Sequence, residues 1–127
     1  MGKEMIKYTE SGLWVEKNEN HYTIGLSAKG QDDLGDVSFI ELSDNTKISS
    51  TEVLFNVEAA KAVTSFVAPF DATVVKWHKE IEDQPVLLNS TNKQENWIVE
   101  VTDVDEAIFN TLFDKDLLEC KQCSEEK

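Results

Sequence analysis

The stretch that decides the fold covers residues 53–68 and reads VLFNVEAAKAVTSFVA. Apolar and polar residues alternate in Val53–Glu58 and again in Val63–Ala68, and a period of two is typical of β-strands. The tetrad Ala59-Ala60-Lys61-Ala62 separates the two runs, so we expect Lys61 at the tip of a β-hairpin with only methyl groups beside it. Such a lysine suits an enzyme that must attach a prosthetic group to one lysine among twelve, although an ordinary exposed turn lysine has the same local pattern.

The size and charge of the chain limit its class. A chain of 127 residues is long enough for one domain with its own core, and we expect a single domain over residues 1–127 with flexible ends at 1–9 and 119–127. All 12 basic residues are lysine, and 25 acidic residues bring the net charge to −13. Because arginine is absent and the charge is negative, we expect no binding to nucleic acid or to anionic membranes. The acidic surface suits brief encounters with basic patches on partner proteins.

The sequence has no recognisable targeting or membrane segment. Its first residues include no apolar stretch suited to a signal peptide, and no run approaches the length of a membrane span, so we expect a cytoplasmic protein. Cys120 and Cys123 form a C-x-x-C pair, a spacing found in zinc sites and redox couples. Because no second pair and no nearby histidine completes four ligands, we expect a reduced pair without a metal.

Patterns elsewhere indicate a mostly β protein. A polar segment that Ser27 caps and Gly35 ends predicts a short internal helix. Residues 81–95, with a proline and several asparagines, are expected to form a loop. Many short strands at close spacing are typical of a β-sandwich or barrel. Alternation predicts these further strands at residues 13–17, 21–26, 37–42, 73–77 and 97–101, with a short extended piece around 47–49.

The C-terminal part changes from strand to helix patterning. Asp103 and Glu106 have the spacing of a capping box, so we expect a helix that starts at Asp103. A second short helix is expected over residues 114–118. The first helix would cover the core with an apolar stripe that consists of Val104, Ala107, Ile108 and Leu112.

The sequence shows no catalytic constellation. It contains no glycine-rich phosphate loop, no Walker pattern and no G-x-S-x-G. His21 and His78 are isolated from any serine or cysteine in a nucleophile's context, so we expect surface or packing roles for both. These absences fit a substrate-carrying protein better than an enzyme.

The segment Leu34–Leu42 reads L-G-D-x-x-[FY]-x-E-L, upstream of the lysine. With this segment as the most specific part, the order of several stretches resembles the H-protein family of the glycine cleavage system. Lipoyl domains of the 2-oxoacid dehydrogenases lack this segment, and biotin carrier domains flank their lysine with methionines. The matching stretches are Leu13-Trp14-Val15, Thr23-Ile24-Gly25-Leu26, Gln31–Leu42, Val57–Val63, Ala68-Pro69 and Trp97-Ile98-Val99.

The resemblance implies a function, a cofactor and a fold. Lys61 would be the lipoyl-lysine, joined to lipoic acid through an amide, and Glu58 would match the family's E-x-x-K-A as a recognition residue for the lipoylating enzyme. The fold would be the barrel-sandwich hybrid of lipoyl domains, with a short internal helix and a C-terminal helical extension. The protein would be a shuttle that carries an aminomethyl group between partner enzymes.

The resemblance also implies the partners. The arm would be loaded by glycine decarboxylase (P protein) and unloaded by the aminomethyltransferase (T protein). Dihydrolipoamide dehydrogenase (L protein) would reoxidise it. A lipoate ligase or a lipoyl transferase would attach the lipoyl group in the first place.

Several positions depart from the family's pattern. Ala59 and Ala60 stand where the family usually has Ser and Val, and Asn96 stands where a glycine precedes the tryptophan. The glycine expected soon after Pro69 is replaced by Asp71 or Ala72, and the loop over 90–95 has its own sequence. Because Asn and Asp tolerate positive φ, we expect the turns to survive.

Two alternatives to the shuttle stay open at the level of sequence. One is an H-like protein that relays lipoyl groups to 2-oxoacid dehydrogenases or is modified under regulation. The other is an unmodified acidic interaction domain, which the intact Glu58 and Lys61 argue against.

Overall fold

The computed structural model describes residues 5–19 and 21–114, and in this part of the chain nine strands form two sheets. The larger sheet has the order β1-β2-β3-β9-β8-β5, and the smaller one has the order β4-β6-β7. All strand pairs are antiparallel. The strands are β1 Met5–Tyr8, β2 Leu13–Asn18, β3 His21–Leu26, β4 Val37–Leu42, β5 Lys47–Ile48, β6 Val53–Ala59, β7 Val63–Val67, β8 Ala72–Trp77 and β9 Trp97–Thr102.

Short helices connect the strands. The internal helix α1 covers Ala28–Leu34, and three helical turns lie between β8 and β9: α2 Glu80–Asp83, a 3₁₀ helix Pro85–Asn89 and α3 Lys93–Asn96. A last helix, α4, covers Glu106–Phe109. In the described residues, no helix is long and apolar enough to span a membrane.

One apolar core joins the two sheets. Its buried side chains come from both, for example Ile24 and Val99 from the larger sheet and Leu54 and Val57 from the smaller one. Phe55 and Phe66 stack at 4.8 Å between ring centroids, while Tyr22 meets Phe109 edge-on at 5.1 Å. The predicted two-sheet, mostly β architecture is confirmed.

The strands β2 to β9 and α1 lie where the sequence predicts them. Ser27 precedes α1 and its hydroxyl accepts a hydrogen bond from the backbone N–H of Gly30. Gly35 ends the helix, and its N–H donates to the carbonyl of Gln31 at 2.9 Å. The hairpin of β6 and β7 also forms as expected, with Glu58 paired to Val63.

The expectation of a flexible start over residues 1–9 is wrong for Met5–Tyr8. These residues form β1 along the edge of the larger sheet, with Ile6 paired to Glu16. Four residues are too few to show a period of two, so the sequence pattern carries no signal for this strand. Residues 1–4 and the predicted flexible end at 119–127 lie outside the described residues.

The prediction of a loop over residues 81–95 is also wrong. This segment forms the end of α2, the 3₁₀ helix and most of α3, with Ile81 and Leu88 fully buried. Asn92 caps α3, because its side-chain oxygen accepts a hydrogen bond from Gln94 N–H at 2.9 Å. Helical turns of four or five residues are too short for the helical period to emerge in the sequence.

The C-terminal helix starts later than the capping-box pattern predicts. Asp105, not Asp103, caps α4, and its carboxylate accepts a hydrogen bond from Ala107 N–H at 3.0 Å. Asp103 has φ of +62°, a left-handed conformation outside the helix. Of the predicted apolar stripe, Val104 and Leu112 pack half-buried against the core, whereas Ala107 and Ile108 are exposed and Phe109 provides the fully buried contact. The second predicted helix, over 114–118, falls almost wholly outside the described residues, as do Cys120 and Cys123.

Gly25 in β3 is a packing position that tests the fold. A Cβ placed there would lie 2.4 Å from the indole ring of Trp14, whose Nε1 donates to Asn96 Oδ1 at 2.8 Å. We expect Gly25→Ala to lower the free energy of unfolding by about 2–3 kcal/mol, because the ring must move and lose its partner. Chemical denaturation measures this change.

The exposed strand residue Val75 offers a control. Val75→Thr keeps the β-branched shape and is expected to shift the free energy of unfolding by less than about 0.5 kcal/mol. Equal effects of the two substitutions would contradict the packing role assigned to Gly25.

Candidate functional site

Lys61 lies at the tip of the β6–β7 hairpin, as the sequence predicts. β6 ends at Ala59 and β7 begins at Val63, and the side chain of Lys61 is exposed. The N–H of Ala59 donates to the carbonyl of Ala62 at 2.9 Å and closes the turn. The turn therefore presents the amine of Lys61 to solvent, and the residues on either side of it are alanines.

Two further backbone hydrogen bonds attach this tip to the segment between α1 and β4. Ala60 N–H donates to the carbonyl of Asp36 at 2.8 Å, and Lys61 N–H donates to the carbonyl of Leu34 at 2.9 Å. Leu34 is the last residue of α1, where helical carbonyls have no partner within the helix. The N–H of Lys61 provides the hydrogen bond that this carbonyl lacks within the helix, and the same bond fixes the position of the turn.

The side chain of Lys61 lies against the same segment. Its Nζ donates to the carbonyl of Asp32 at 2.9 Å, at the C-terminal end of α1, where the helix dipole favours a cation. Gly35 has φ of +73°, and a Cβ built on it would lie 3.1 Å from Lys61 Cγ. Gly35 thus ends the helix and leaves room for the lysine stem.

Asn89 fixes the Gly35 segment from the other side. Its Nδ2 donates to the carbonyl of Gly35 at 2.8 Å, and its Oδ1 accepts from Val37 N–H at 2.9 Å. Gln31 reaches the same region, because its Nε2 donates to the carbonyls of Leu88 and Ser90 at 2.8 and 2.6 Å. The sequence carries no signal for these contacts, since Asn89 follows α1 by more than fifty positions within a segment that reads as loop.

Glu58 is close to Lys61 in space as well as in sequence. It is exposed on the outer face of the smaller sheet, directly opposite Phe39 on one side and Val63 on the other. Its carboxylate has no hydrogen bond or ion pair with the described residues, whereas its backbone carbonyl accepts from Ser38 Oγ at 3.1 Å. The side chain is therefore available to an incoming protein.

The surroundings of Lys61 are acidic. Asp32, Asp33 and Asp36 are exposed at the end of α1 and the start of β4, and Glu58 lies on the hairpin itself. Asp33 pairs with Lys29 one turn earlier in the helix. A partner that reaches Lys61 must therefore tolerate or match negative charge, which favours a basic surface.

The departures from the family pattern have a different structural basis from the one expected. Positive φ at non-glycine residues of the described chain occurs at Glu19, Asp44, Thr51 and Asp103, so the expectation that Asp71 and Asn96 would use it is wrong. Asn96 is buried and holds its place through hydrogen bonds, because it accepts from Trp14 Nε1 and donates from Nδ2 to the carbonyl of Ser90 at 2.8 Å.

The two histidines have the predicted surface and packing roles. His78 is buried, stacks on Trp97 at 4.3 Å between ring centroids, and has Nδ1 2.7 Å from the carbonyl of Trp97. His21 is exposed, with Nδ1 3.7 Å from a carboxylate oxygen of Glu100.

Comparison with a known structure supports the fold. The crystal structure of a glycine cleavage system H protein from Mycobacterium marinum matches with a TM-score of 0.69 at 21% sequence identity, over 76% of this chain and 82% of that one. The arrangement of strands is therefore that of the lipoyl-domain-like barrel-sandwich hybrid, as the resemblance implies.

Comparison of sequences identifies the family. The chain is 34% identical to the glycine cleavage system H protein of Listeria welshimeri over 112 residues, which cover 87% of this chain and 90% of the relative. It is 31% identical to a glycine cleavage system H-like protein of Staphylococcus aureus over 107 residues, 84% of this chain and 97% of the relative. The profile of the glycine cleavage H-protein family matches residues 6–125. With nearly its whole length matched, the chain belongs to the glycine cleavage H-protein family.

Proposed function

We propose that Lys61 is the residue on which this lipoyl-carrying shuttle protein bears its lipoate, and that Glu58 guides the enzyme that attaches it. Proteins of this family carry lipoate covalently on a lysine. The observation that carries the proposal is the exposed amine at the tip of a turn whose backbone is hydrogen-bonded to the end of α1. The E-x-x-K-A spacing of Glu58, Lys61 and Ala62 supports the same assignment.

The residues around Lys61 fit a lipoyl amide. Ala60 and Ala62 flank the lysine with single methyl groups, and Nζ contacts only a carbonyl oxygen within the described chain, so the amine is open to acylation. In the attachment step the Nζ ammonium loses one proton to become a nucleophile and a second as it forms an amide bond with the acyl carbon of an activated lipoate, while the bond from that carbon to the activating group breaks and this group leaves. When attached, the lipoyl disulfide supplies the acceptor for an aminomethyl group. The chain itself supplies position and reach.

The partners follow from the family and from the charge of the chain. An H protein works with the P, T and L proteins of the glycine cleavage system, and the family is one of carriers rather than catalysts. We infer that a lipoate ligase or a lipoyl transferase is the additional partner that modifies Lys61. The net charge of −13 and the exposed carboxylates around Lys61 favour brief contacts with basic surfaces on these enzymes.

The first test is a map of the modified residue. Incubation with a lipoate ligase, lipoate and ATP should place the lipoyl group on Lys61 alone, because among the lysines that the structure describes no other lies at the tip of a β-hairpin. Peptide mass spectrometry identifies the residue, and a native gel should show the net charge change from −13 to −14 as the amide removes one positive charge. Lys61→Arg should abolish modification, whereas Lys76→Arg, at an exposed strand position, should not. Lipoyl groups spread over several lysines would contradict the proposal.

A second test addresses Glu58. We expect Glu58→Gln to slow lipoylation, because the uncharged amide loses a charge-assisted contact with a donor on the enzyme. The melting temperature should stay nearly unchanged, since an exposed charge adds little stability. Glu41→Gln is the matched control, because Glu41 is an exposed carboxylate on the adjacent β4 strand of the same sheet. Equal lipoylation rates for wild type and Glu58→Gln would remove Glu58 from the site.

A third test concerns the pathway. The lipoylated protein should support exchange of labelled bicarbonate with the carboxyl group of glycine when it is mixed with a glycine decarboxylase. The Lys61→Arg variant should support none. Absence of exchange by a fully lipoylated protein, together with transfer of its lipoyl group to a dehydrogenase lipoyl domain, would contradict the shuttle role and favour a relay.

A further inference from the structure

The outer face of the smaller sheet carries a cross-strand row directly beside Lys61. Phe39 of β4 lies opposite Glu58 of β6, and Glu58 lies opposite Val63 of β7. Each strand contributes one outward side chain, so the row reads apolar, acidic, apolar across the full width of the sheet. We call these three residues the tip row.

The apolar members of the tip row are unusually open to solvent. Val63 is 79% exposed, the highest value among the large apolar side chains of the described residues, and Phe39 is 48% exposed. Inward neighbours on the same strands are buried, among them Ile40 and Val57 at 1% or less. The core therefore does not explain why apolar residues stand at these two outward positions.

Exposed apolar residues also concentrate on this sheet. Val53 and Val67 are 41% and 39% exposed, and they pair with each other at the far end of β6 and β7. With Phe39 and Val63 they make up four of the nine large exposed apolar side chains in the described part of the chain. Single exposed apolar residues are ordinary on a protein surface, whereas a concentration on one face indicates contact with a partner.

We propose that the tip row of Phe39, Glu58 and Val63 is the docking surface for the enzyme that lipoylates Lys61, with the two apolar side chains as the main contacts. This inference rests on the proposed role of Lys61. The complementary surface on the enzyme would place a basic side chain between two apolar patches. Glu58 then pairs with the basic side chain of the enzyme, while Phe39 and Val63 supply the apolar surface that becomes buried on binding.

The position of the row determines which partner fits it. Val63 follows Lys61 by two residues, a separation of at most about 7 Å along an extended chain. An enzyme that brings its acyl donor to Lys61 Nζ must therefore cover part of the tip row. A charged group between apolar contacts also selects one orientation of the docked enzyme. An enzyme docked in a shifted position would bury the Glu58 carboxylate without a positive charge beside it, which is unfavourable.

The remaining surface near Lys61 does not provide such a contact. On the side of α1 the exposed neighbours are the carboxylates of Asp32, Asp33 and Asp36. Those groups favour approach by a basic protein, but aromatic and aliphatic side chains provide most of the affinity of a specific contact. In the described residues around the lysine, Phe39 and Val63 are the large apolar groups that remain uncovered.

The test compares lipoylation kinetics of paired variants. We expect Phe39→Ala to raise the KM for this protein about tenfold with little change in kcat, because a half-exposed aromatic side chain is removed from the contact and not from the reacting groups. Phe113→Ala is the matched control, since Phe113 is 43% exposed at another site, and its KM should equal that of the wild type. Val63→Thr should raise KM about threefold, whereas Val86→Thr, at a position that is 64% exposed in the 3₁₀ helix, should not.

A second measurement separates docking from chemistry. The Lys61→Arg protein cannot be acylated, so its binding to the ligase can be measured by calorimetry, and Phe39→Ala in that background should weaken binding by the same factor as it raises KM. Val63→Thr keeps the β-branched shape and tests the same surface if Phe39→Ala does not fold. Unchanged KM in both tip-row variants would overturn the docking surface while lipoylation of Lys61 still stood. Lipoylation at other lysines in the wild type would instead overturn the proposed function.

Discussion

The site depends on hydrogen bonds between a β-turn and the end of a helix. The N–H groups of Ala60 and Lys61 point to the carbonyls of Asp36 and Leu34, so an exposed hairpin tip is joined to the segment that follows α1. Each partner alone would leave backbone groups for water to satisfy. Together they hold Lys61, the proposed attachment residue, at a defined place on the surface.

That junction is held in turn from a third direction. Asn89 binds the carbonyl of Gly35 and the N–H of Val37, and it does so from a helical turn that the core fixes through the buried Leu88. The hairpin, the internal helix and the segment between β8 and β9 therefore meet at Gly35. The chemistry of a carrier belongs mainly to its cofactor and its partners, so we infer that the ordered groups around Lys61 serve the enzymes that would act on it.

Alternation of apolar and polar residues was sufficient to predict the principal strands and the exposed lysine. The hairpin of β6 and β7 follows from residues 53–68 alone, because period-2 patterning and small turn residues are local properties. The sequence does not predict β1 or the helical turns within residues 81–95. Elements of four or five residues contain too few repeats for the strand period of two or the helical period of 3.6 to be recognised. Asp103 misled the prediction of α4, since two aspartates near a helix start both satisfy a capping pattern and only the backbone conformation selects Asp105.

The contacts that build the site could not be predicted, because they join residues distant in sequence. Nothing in the spacing of Gly35 and Lys61 indicates that the lysine stem lies on the glycine, and nothing marks Asn89 as their common support. The same holds for the tip row, whose members become neighbours only through the register of three strands. Resemblance to a family is the source of the role proposed for the lysine, and the structure shows its surroundings.

The position of the Lys61 stem beside Gly35 has a consequence for the proposed lipoyl arm as a tether. Cγ, Cδ and Cε of Lys61 all lie within 3.5 Å of the place where a Cβ on Gly35 would stand, so while the stem keeps this position the freely rotating part of the proposed arm begins beyond these atoms and not at the Cα. A shorter free segment explores a smaller volume, which raises the effective concentration of its end at a docked active site. The small size of Gly35, whose side chain is one hydrogen atom, leaves the room for this position of the stem and so would shorten the free segment of the proposed arm.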